Sequence, residues 1–534
     1  MMSDQQRLLL AAVLMSLVLV AGWMLGSSRR QAPAAAGRPD TVETAEASES
    51  VQDSIRDYAA EEAVGDSSVA PVVATAARLV RVTIPGGDGG VLVDAVISTG
   101  GGSVVSWVMP SWRDLSDGAE GPIDLAEQPW FTALGPDGPV EFSCQCPDSM
   151  TASEDTQIAM TAADGRTRTY TFHPGSYVFE VTDTGADAFT VPQDAIPVTE
   201  TVTDPSRYFN AAWFAEKSRS KKPGGLDEEV ALGRVLWAAV RSRYFTVLMM
   251  PADGSRSDGY AFSSDPVQSP RVTLEGGDVR VYAGPVDYGR LSELGARTDN
   301  LVDFGWPVIR WIGRLIYLFL SSVLSFVSNW GVRIVILSVV MKLALMPLSI
   351  HSNRSMKKMQ SMQPLVLELQ KKYANDPMRQ RQELSKLYKE NGVNPLGGCL
   401  PLLLQMPIFF ALYRVLENSV SLRGAGFMLW INDLSRPEIL LPFGTSILGM
   451  TGIGLLPVLM GAAMFIQQKA SITDPNQKSM VYIMPVMMTW FFMKFPAGLS
   501  LYWFVNNILT IIEQKVVPRV KASPALQTAE RRSR

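Results

Sequence analysis

A chain of 534 residues, 47% of them apolar, is too long for one ordinary core, and its positive mean hydropathy puts part of it in lipid. The formal net charge of −4 hides a division: residues 27–328 hold 24 Lys and Arg against 41 Asp and Glu, whereas residues 329–534 hold 23 against 10. Three cysteines and two histidines leave little for a bridged framework, a metal centre or a Ser/His/Asp triad, and no Gly-x-x-x-x-Gly-Lys-Ser/Thr motif occurs, so an enzyme starts behind, a non-enzyme is the expectation, and no cofactor or metal is expected.

Residues 8–25 form an apolar run preceded by Arg7. No Ala-x-Ala site closes it, which favours a retained transmembrane anchor over residues 1–27 rather than a cleaved signal peptide. Residues 28–71, rich in Ala, Ser, Glu and Asp, bury too little apolar surface to fold and read as a disordered acidic linker. Over residues 72–302 the period changes to two, as in Leu79-Val-Arg-Val-Thr-Ile84, Tyr177-Val-Phe-Glu-Val181 and Val279-Arg-Val-Tyr282, with Gly-rich turns between. This pattern predicts a large antiparallel β-sandwich with a helical insertion over residues 226–240. Cys144 and Cys146 could pair in an oxidising compartment, but so short a bridge would be strained, which favours free or incidental thiols; His173 and His351 are expected as solvated or structural residues.

Residues 303–328 are apolar nearly all round except for Arg310 and Arg314, which suggests an amphipathic helix in the interface with its arginines among headgroups. Five spans follow at about 329–350, 398–419, 453–469, 480–494 and 497–516, within a helical core of residues 329–517. With the anchor they make six crossings, and the positive-inside rule then puts both termini and the basic loop 351–393 in the cytoplasm and the acidic sandwich outside. That loop reads as a helical hairpin: Met362, Val366, Leu369 and Tyr373 form a seam, Asn375-Asp-Pro377 breaks it, and Asn391-Gly392 closes the second helix. Met356, Met359 and Met362 beside Lys357 and Lys358 suit docking of apolar chains or a ribosome, against the plainer reading of a solvated connector. A basic tail, residues 518–534, ends the chain.

Lys342 sits about 13 Å inside its span, too deep for easy snorkelling, and a charge there costs roughly 2.5 to 3.5 kcal/mol. Ser338 lies one turn away, while Gln405, Asn506 and Asn507 lie at similar depth on other spans, a pattern that predicts a shared hydrated cavity. Hydrogen bonding between helices is the competing account for Gln405 and Asn506. Glu417 and Glu513 are placed at the ends of their spans, so Lys342 is expected to lack an acidic partner and to need water or a visiting anion. A channel or secondary transporter is the rival function, although no inverted repeat is visible. A sugar-processing sandwich on an anchor is a third reading.

Asn394-Pro-Leu-Gly-Gly-Cys-Leu-Pro-Leu-Leu-Leu-Gln-Met-Pro-Ile-Phe-Phe-Ala-Leu-Tyr413, Phe495-Pro-Ala-Gly-Leu-Ser-Leu-Tyr-Trp503 and Asn329-Trp-Gly331 resemble the YidC-type membrane protein insertases. Tyr282-Ala-Gly-Pro285 and Asp303-Phe-Gly-Trp306 are similar to the Gram-negative form with a large periplasmic domain. The resemblance implies a bacterial inner-membrane protein whose five core helices enclose a groove open to cytoplasm and lipid. Lys342 falls where the family usually has a groove arginine, which keeps the charge and loses the planar fork. Ser338, Gln405, Met406, Phe409, Phe495, Tyr502 and Trp503 fall at groove-lining or substrate-contact positions. Nascent membrane proteins as substrates, and the Sec translocon, ribosomes and targeting factors as partners, are implied with them.

Overall fold

Alternating side chains build the β region: the strand Leu79–Pro85 buries Val80, Val82 and Ile84 and turns Arg81 to solvent. The computed structural model describes residues 77–516 except 88, 117–120, 136–137, 193–194, 198, 200–209, 216–217, 224–229, 263–270, 393–399, 448–449 and 472–477. The expected anchor, linker and basic tail lie outside the described residues.

A five-stranded sheet runs Pro122–Asp124, Val104–Arg113, Val91–Ser98, Leu79–Pro85, Ser149–Thr151. Its last pairing is parallel, which corrects the expectation of a wholly antiparallel fold. More than sixty residues separate those two strands, ample for the crossover that a parallel pair requires. A twelve-stranded sheet extends from Ala188–Pro192 at one edge, through the central Val230–Arg241, Phe245–Pro251, Asp278–Pro285 and Val178–Asp183, to Phe142–Cys144 at the other. The sheets share one apolar core. Trp107 of the smaller sheet packs on Phe179 of the larger, ring centroids 4.8 Å apart, and its indole N–H donates to the Ala283 carbonyl at 3.0 Å.

Two expectations fail in this region. The segment read as a helical insertion is the strand Val230–Arg241, paired with Asn210–Ala215, Phe245–Pro251 and Ser257–Phe262. Gly233 holds a φ of +68° at a register shift, a conformation that no helix interior accepts, and pairing on both edges overrides the helical preference of its Leu and Ala. Cys144 and Cys146 are joined by a disulfide rather than free. The Arg78 guanidinium donates to both of their carbonyls, at 2.9 and 2.5 Å, and so holds a turn that keeps the two Cα atoms 5.3 Å apart, inside the ordinary bridging range.

The core of the larger sheet contains a buried ion pair. Arg168, 1% exposed, donates to Asp183 at 2.6 Å and to the carbonyls of Gly101, Gly102 and Phe131. Gly101 and Gly102 take φ of +69° and +56°, and a Cβ on Gly102 would lie 3.1 Å from the Arg168 side chain and the Phe142 ring. Burial pushes the Asp183 carboxyl up, but Arg166, Arg168 and the Gly185 N–H outweigh it and hold the group below the ordinary carboxylate range. Beside it, burial pushes the Tyr170 hydroxyl up to about 12.

Among the described residues the α-helices are α1 (Tyr288–Glu293), α2 (Pro307–Leu318), α3 (Trp330–Ser361), α4 (Gln363–Lys372), α5 (Pro377–Glu390), α6 (Leu400–Asn418), α7 (Leu455–Ser471), α8 (Lys478–Phe492) and α9 (Ala497–Val516). Within α3, Trp330–Ile350 is the stretch among the described residues that is long and apolar enough to cross a membrane, and α8 holds a shorter apolar run, Val481–Phe492. On α2 the side chains Val308, Trp311, Leu315 and Leu318 are exposed at three- and four-residue spacing, as an interfacial helix requires. Arg314 does not reach outward as expected: it pairs with Asp299 at 2.7 Å, because Asp299 sits on the adjoining turn Thr298–Leu301. Arg333, 8% exposed at the start of α3, donates to the carbonyls of Leu320, Ser325 and Val327 and so ties α3 to the segment after α2.

The motif Asn329-Trp-Gly331 has a local explanation. Asn329 caps α3 by accepting from the Val332 N–H and donates to the Phe427 carbonyl at 2.8 Å. A Cβ on Gly331 would meet the Phe427 ring at 2.1 Å.

Gly331→Ala is expected to lower stability by about 1–3 kcal/mol through overpacking. A thermal melt of the full chain in detergent reads this, and an unchanged melt would refute the contact. Because Asp183 titrates lower folded than unfolded, its stabilisation is complete above roughly pH 4 and is lost as pH falls through the folded value. Asp183→Asn should cost about 3–5 kcal/mol at neutral pH by leaving Arg168 unpaired, and should flatten the acid limb of a stability–pH curve.

Candidate functional site: a polar cluster between apolar helices

Helices α3 and α9 run side by side in the same direction. Near their first turns a Cβ on Gly498 of α9 would stand 3.2 Å from Ile334 of α3, and further along Asn353 of α3 donates to Glu513, near the far end of α9, at 2.9 Å. Polar residues recur along the facing stripes, Ser338, Lys342, Ser349 and Asn353 on one helix and Asn506, Thr510 and Glu513 on the other. Spacings of three, four and seven put each set on one helical face.

At the centre, Lys342 Nζ lies 2.7 Å from Glu513 Oε2 and donates to Thr510 Oγ1 at 2.8 Å. Ser349 Oγ donates to the same carboxylate at 2.8 Å. The side chains of Lys342 and Glu513 are 15% and 7% exposed. This corrects the expectation that Lys342 lacks an acid. Glu513 was placed at the end of its span and Lys342 well inside, but two long side chains leaning toward each other bridge about two helical turns of depth. The signal was present in the sequence as the 506/510/513 stripe on α9. Outside the cluster, Leu343, Met346, Ile483, Val486, Ile508 and Ile512 are exposed, so the polar groups face inward and the apolar ones outward.

Ser338 and Gln405, also predicted for the groove, bond to partners other than Lys342. Ser338 is buried and donates to the Ile334 carbonyl at 2.7 Å, within its own helix. Gln405 donates to the Tyr502 hydroxyl at 2.7 Å, joining α6 to α9. Asn506 is half-buried on the polar face, whereas its neighbour Asn507 is buried and its Nδ2 has no partner among the described residues.

The residues expected to touch a substrate helix form an aromatic cluster. Phe409 packs against Phe410, Phe492 and Trp503, and Phe495 against Tyr413, Phe491 and Phe492. Phe409 and Phe495 are buried within it, and Tyr502 is buried beside Gln405. Met406 and Trp503 remain half-buried at its edge.

At the opposite end α3 runs without a break past Pro347 to Ser361, so the hairpin proper is α4 and α5, joined by the Gln380 side chain, which donates to the Gln370 carbonyl. Asp376 caps α5, and Gly392 takes a φ of +60° just beyond it, as the sequence suggests. Lys358 is exposed, and Met356 and Met359 are half-buried. Met362 is buried at the corner between α3 and α4. The side chain of Lys357 and the motif residues 394–399 lie outside the described residues.

A family model described as YidC periplasmic domain matches residues 91–319, and one described as 60Kd inner membrane protein matches residues 322–524. The membrane protein insertase YidC of Prosthecochloris aestuarii is 40% identical over 296 residues, a match spanning 52% of this chain and half of that protein. That of Cupriavidus taiwanensis is 34% identical over 405 residues, 70% of each chain, and that of Pelobacter propionicus 32% over 501 residues, 86% of this chain and 90% of its own. With both regions matched in order, and nearly the whole of one relative covered, the chain belongs to the YidC family of membrane protein insertases.

Proposed function

We propose that the chain inserts integral membrane proteins into the bacterial inner membrane, and helps them fold, through the polar face between α3 and α9. The observation that carries this reading is the Lys342, Thr510 and Glu513 cluster, held between helices whose outer faces are apolar and exposed. An apolar segment of about 20 residues slides along the lipid-facing edge past Met406 and Trp503, gaining about 5 to 10 kcal/mol on transfer. Its polar flank passes beside Lys342, Asn506 and the Gln405 amide, which replace part of the hydration it loses. Ser338, Tyr502 and the ring cluster of Phe409 and Phe495 close the groove from behind. Family membership takes away the ground for a channel or secondary transporter.

The topology proposed with it has six crossings: the N-terminal anchor over 1–27, then α3, α6, α7, α8 and α9. Both termini are cytoplasmic, the β domain is periplasmic, and α2 lies in the periplasmic interface. The exposed stripe of α2 and the 9 basic against 4 acidic residues of the loop 351–393 support that placement. Met356, Met359, Lys357 and Lys358 with α4 and α5 form the surface for ribosomes and targeting factors, and the Sec translocon hands over some substrates.

Reconstituted in liposomes, the protein is expected to insert a small single-span substrate with an acidic translocated tail, read as protease-protected tail. Insertion no greater than in protein-free liposomes would sink the reading. Lys342→Ala should reduce protection of the acidic-tailed substrate about tenfold, since it also leaves Glu513 as an unpaired carboxylate facing the tail.

A further inference from the structure

Both oxygens of Glu513 are engaged: Oε2 receives Lys342 Nζ at 2.7 Å and Ser349 Oγ at 2.8 Å, and Oε1 receives Asn353 Nδ2 at 2.9 Å. Lys342 has a second acceptor in Thr510 Oγ1, which itself donates to the Asn506 carbonyl at 2.7 Å. The positive charge of the groove is therefore met by a carboxylate of the same chain, fixed from α3 by two neutral donors. We propose that Glu513 is a specificity-determining residue of this insertase: by occupying Lys342 it sets a penalty on acidic substrate flanks and leaves neutral polar flanks favoured. The proposal rests on the insertase reading above.

The reasoning is one of exchange. An acidic flank reaching Lys342 cannot simply add to the site. An ammonium is a compact charge with three donors, two of which are already directed at Glu513 and Thr510. A second carboxylate must displace the first or share one cation with it, and sharing leaves a net negative charge among apolar helices, where like charges repel strongly. Ser349 and Asn353 oppose displacement, because a Glu513 that swings away abandons both. A neutral flank carrying hydroxyls or amides meets neither obstacle, since it can bond the remaining lone pair of Glu513 Oε1 and leave the ion pair whole. An arginine at position 342 would offer five donors in a fork and could hold two carboxylates at once, so the discrimination belongs to the Lys–Glu combination.

The test uses the full chain in liposomes and two substrates identical except that the translocated tail carries three Asp in one and three Asn in the other. The quantity read is the ratio of protected acidic to protected neutral tail. Glu513→Gln, which preserves size and hydrogen-bonding capacity, is expected to raise that ratio about tenfold. The exchanged pair Lys342→Glu with Glu513→Lys keeps the charges matched and should leave the ratio within about twofold of the parent, which also serves should the single variant fail to fold. A ratio in Glu513→Gln equal to the parent's, or one in the exchanged pair that rises as far as in Glu513→Gln, would overturn the assignment while leaving the insertase reading intact. Absence of insertion by the parent above protein-free vesicles would overturn both.

Discussion

A lysine ammonium enclosed by apolar helices loses hydration worth several kcal/mol, and it stays charged there only where other groups replace the lost water. In this chain the replacement comes from Glu513 and Thr510 on a second helix, and Ser349 and Asn353 on the first hold Glu513 in place. That demand dictates much of the helical region. Helix α3 must continue past Pro347 to bring Asn353 within reach, and α9 must lie parallel to it in one register. The small residue Gly498 allows the approach at the other end, where a side chain would press on Ile334 and the Leu434 carbonyl.

Arginines do the corresponding work where the β domain meets the helices. Arg243 donates to the Glu417 carbonyl at 3.0 Å, Arg423 to those of Arg113 and Thr199, and Arg436 to that of Leu115. A guanidinium has several donors in fixed directions, so one side chain can satisfy loop carbonyls that no strand or helix partners. The same device recurs in Arg333 and in Arg168. These contacts bind the end of α6 and the loop after it to the β domain.

Much of this architecture was legible along the chain. Strands with strict alternation, such as Leu79–Pro85 and Val178–Asp183, announce themselves because one buried face forces a period of two. The helices α3 and α6 to α9 fall close to the expected spans, and α5 begins and ends at its Asp376 cap and the glycine after Asn391. Within the site, the residue types at 342, 405 and 506 pointed to a polar interior among helices. The pairings did not follow: Gln405 joins Tyr502, and Lys342 joins Glu513.

Local chemistry, carried by each segment alone, determined most of the strands, helices and turns, which part favours lipid, and that one helix carries a costly charge. Only the tertiary structure decided what meets that charge, that Val230–Arg241 is a strand with neighbours on both edges, that Cys144 and Cys146 are joined, and that Phe409 and Phe495 lie inside a ring cluster. The reason is the same in each case. Periodicity and composition act over a few residues, whereas the partner of a side chain depends on the register and direction of elements far apart in the chain, here 171 positions between Lys342 and Glu513.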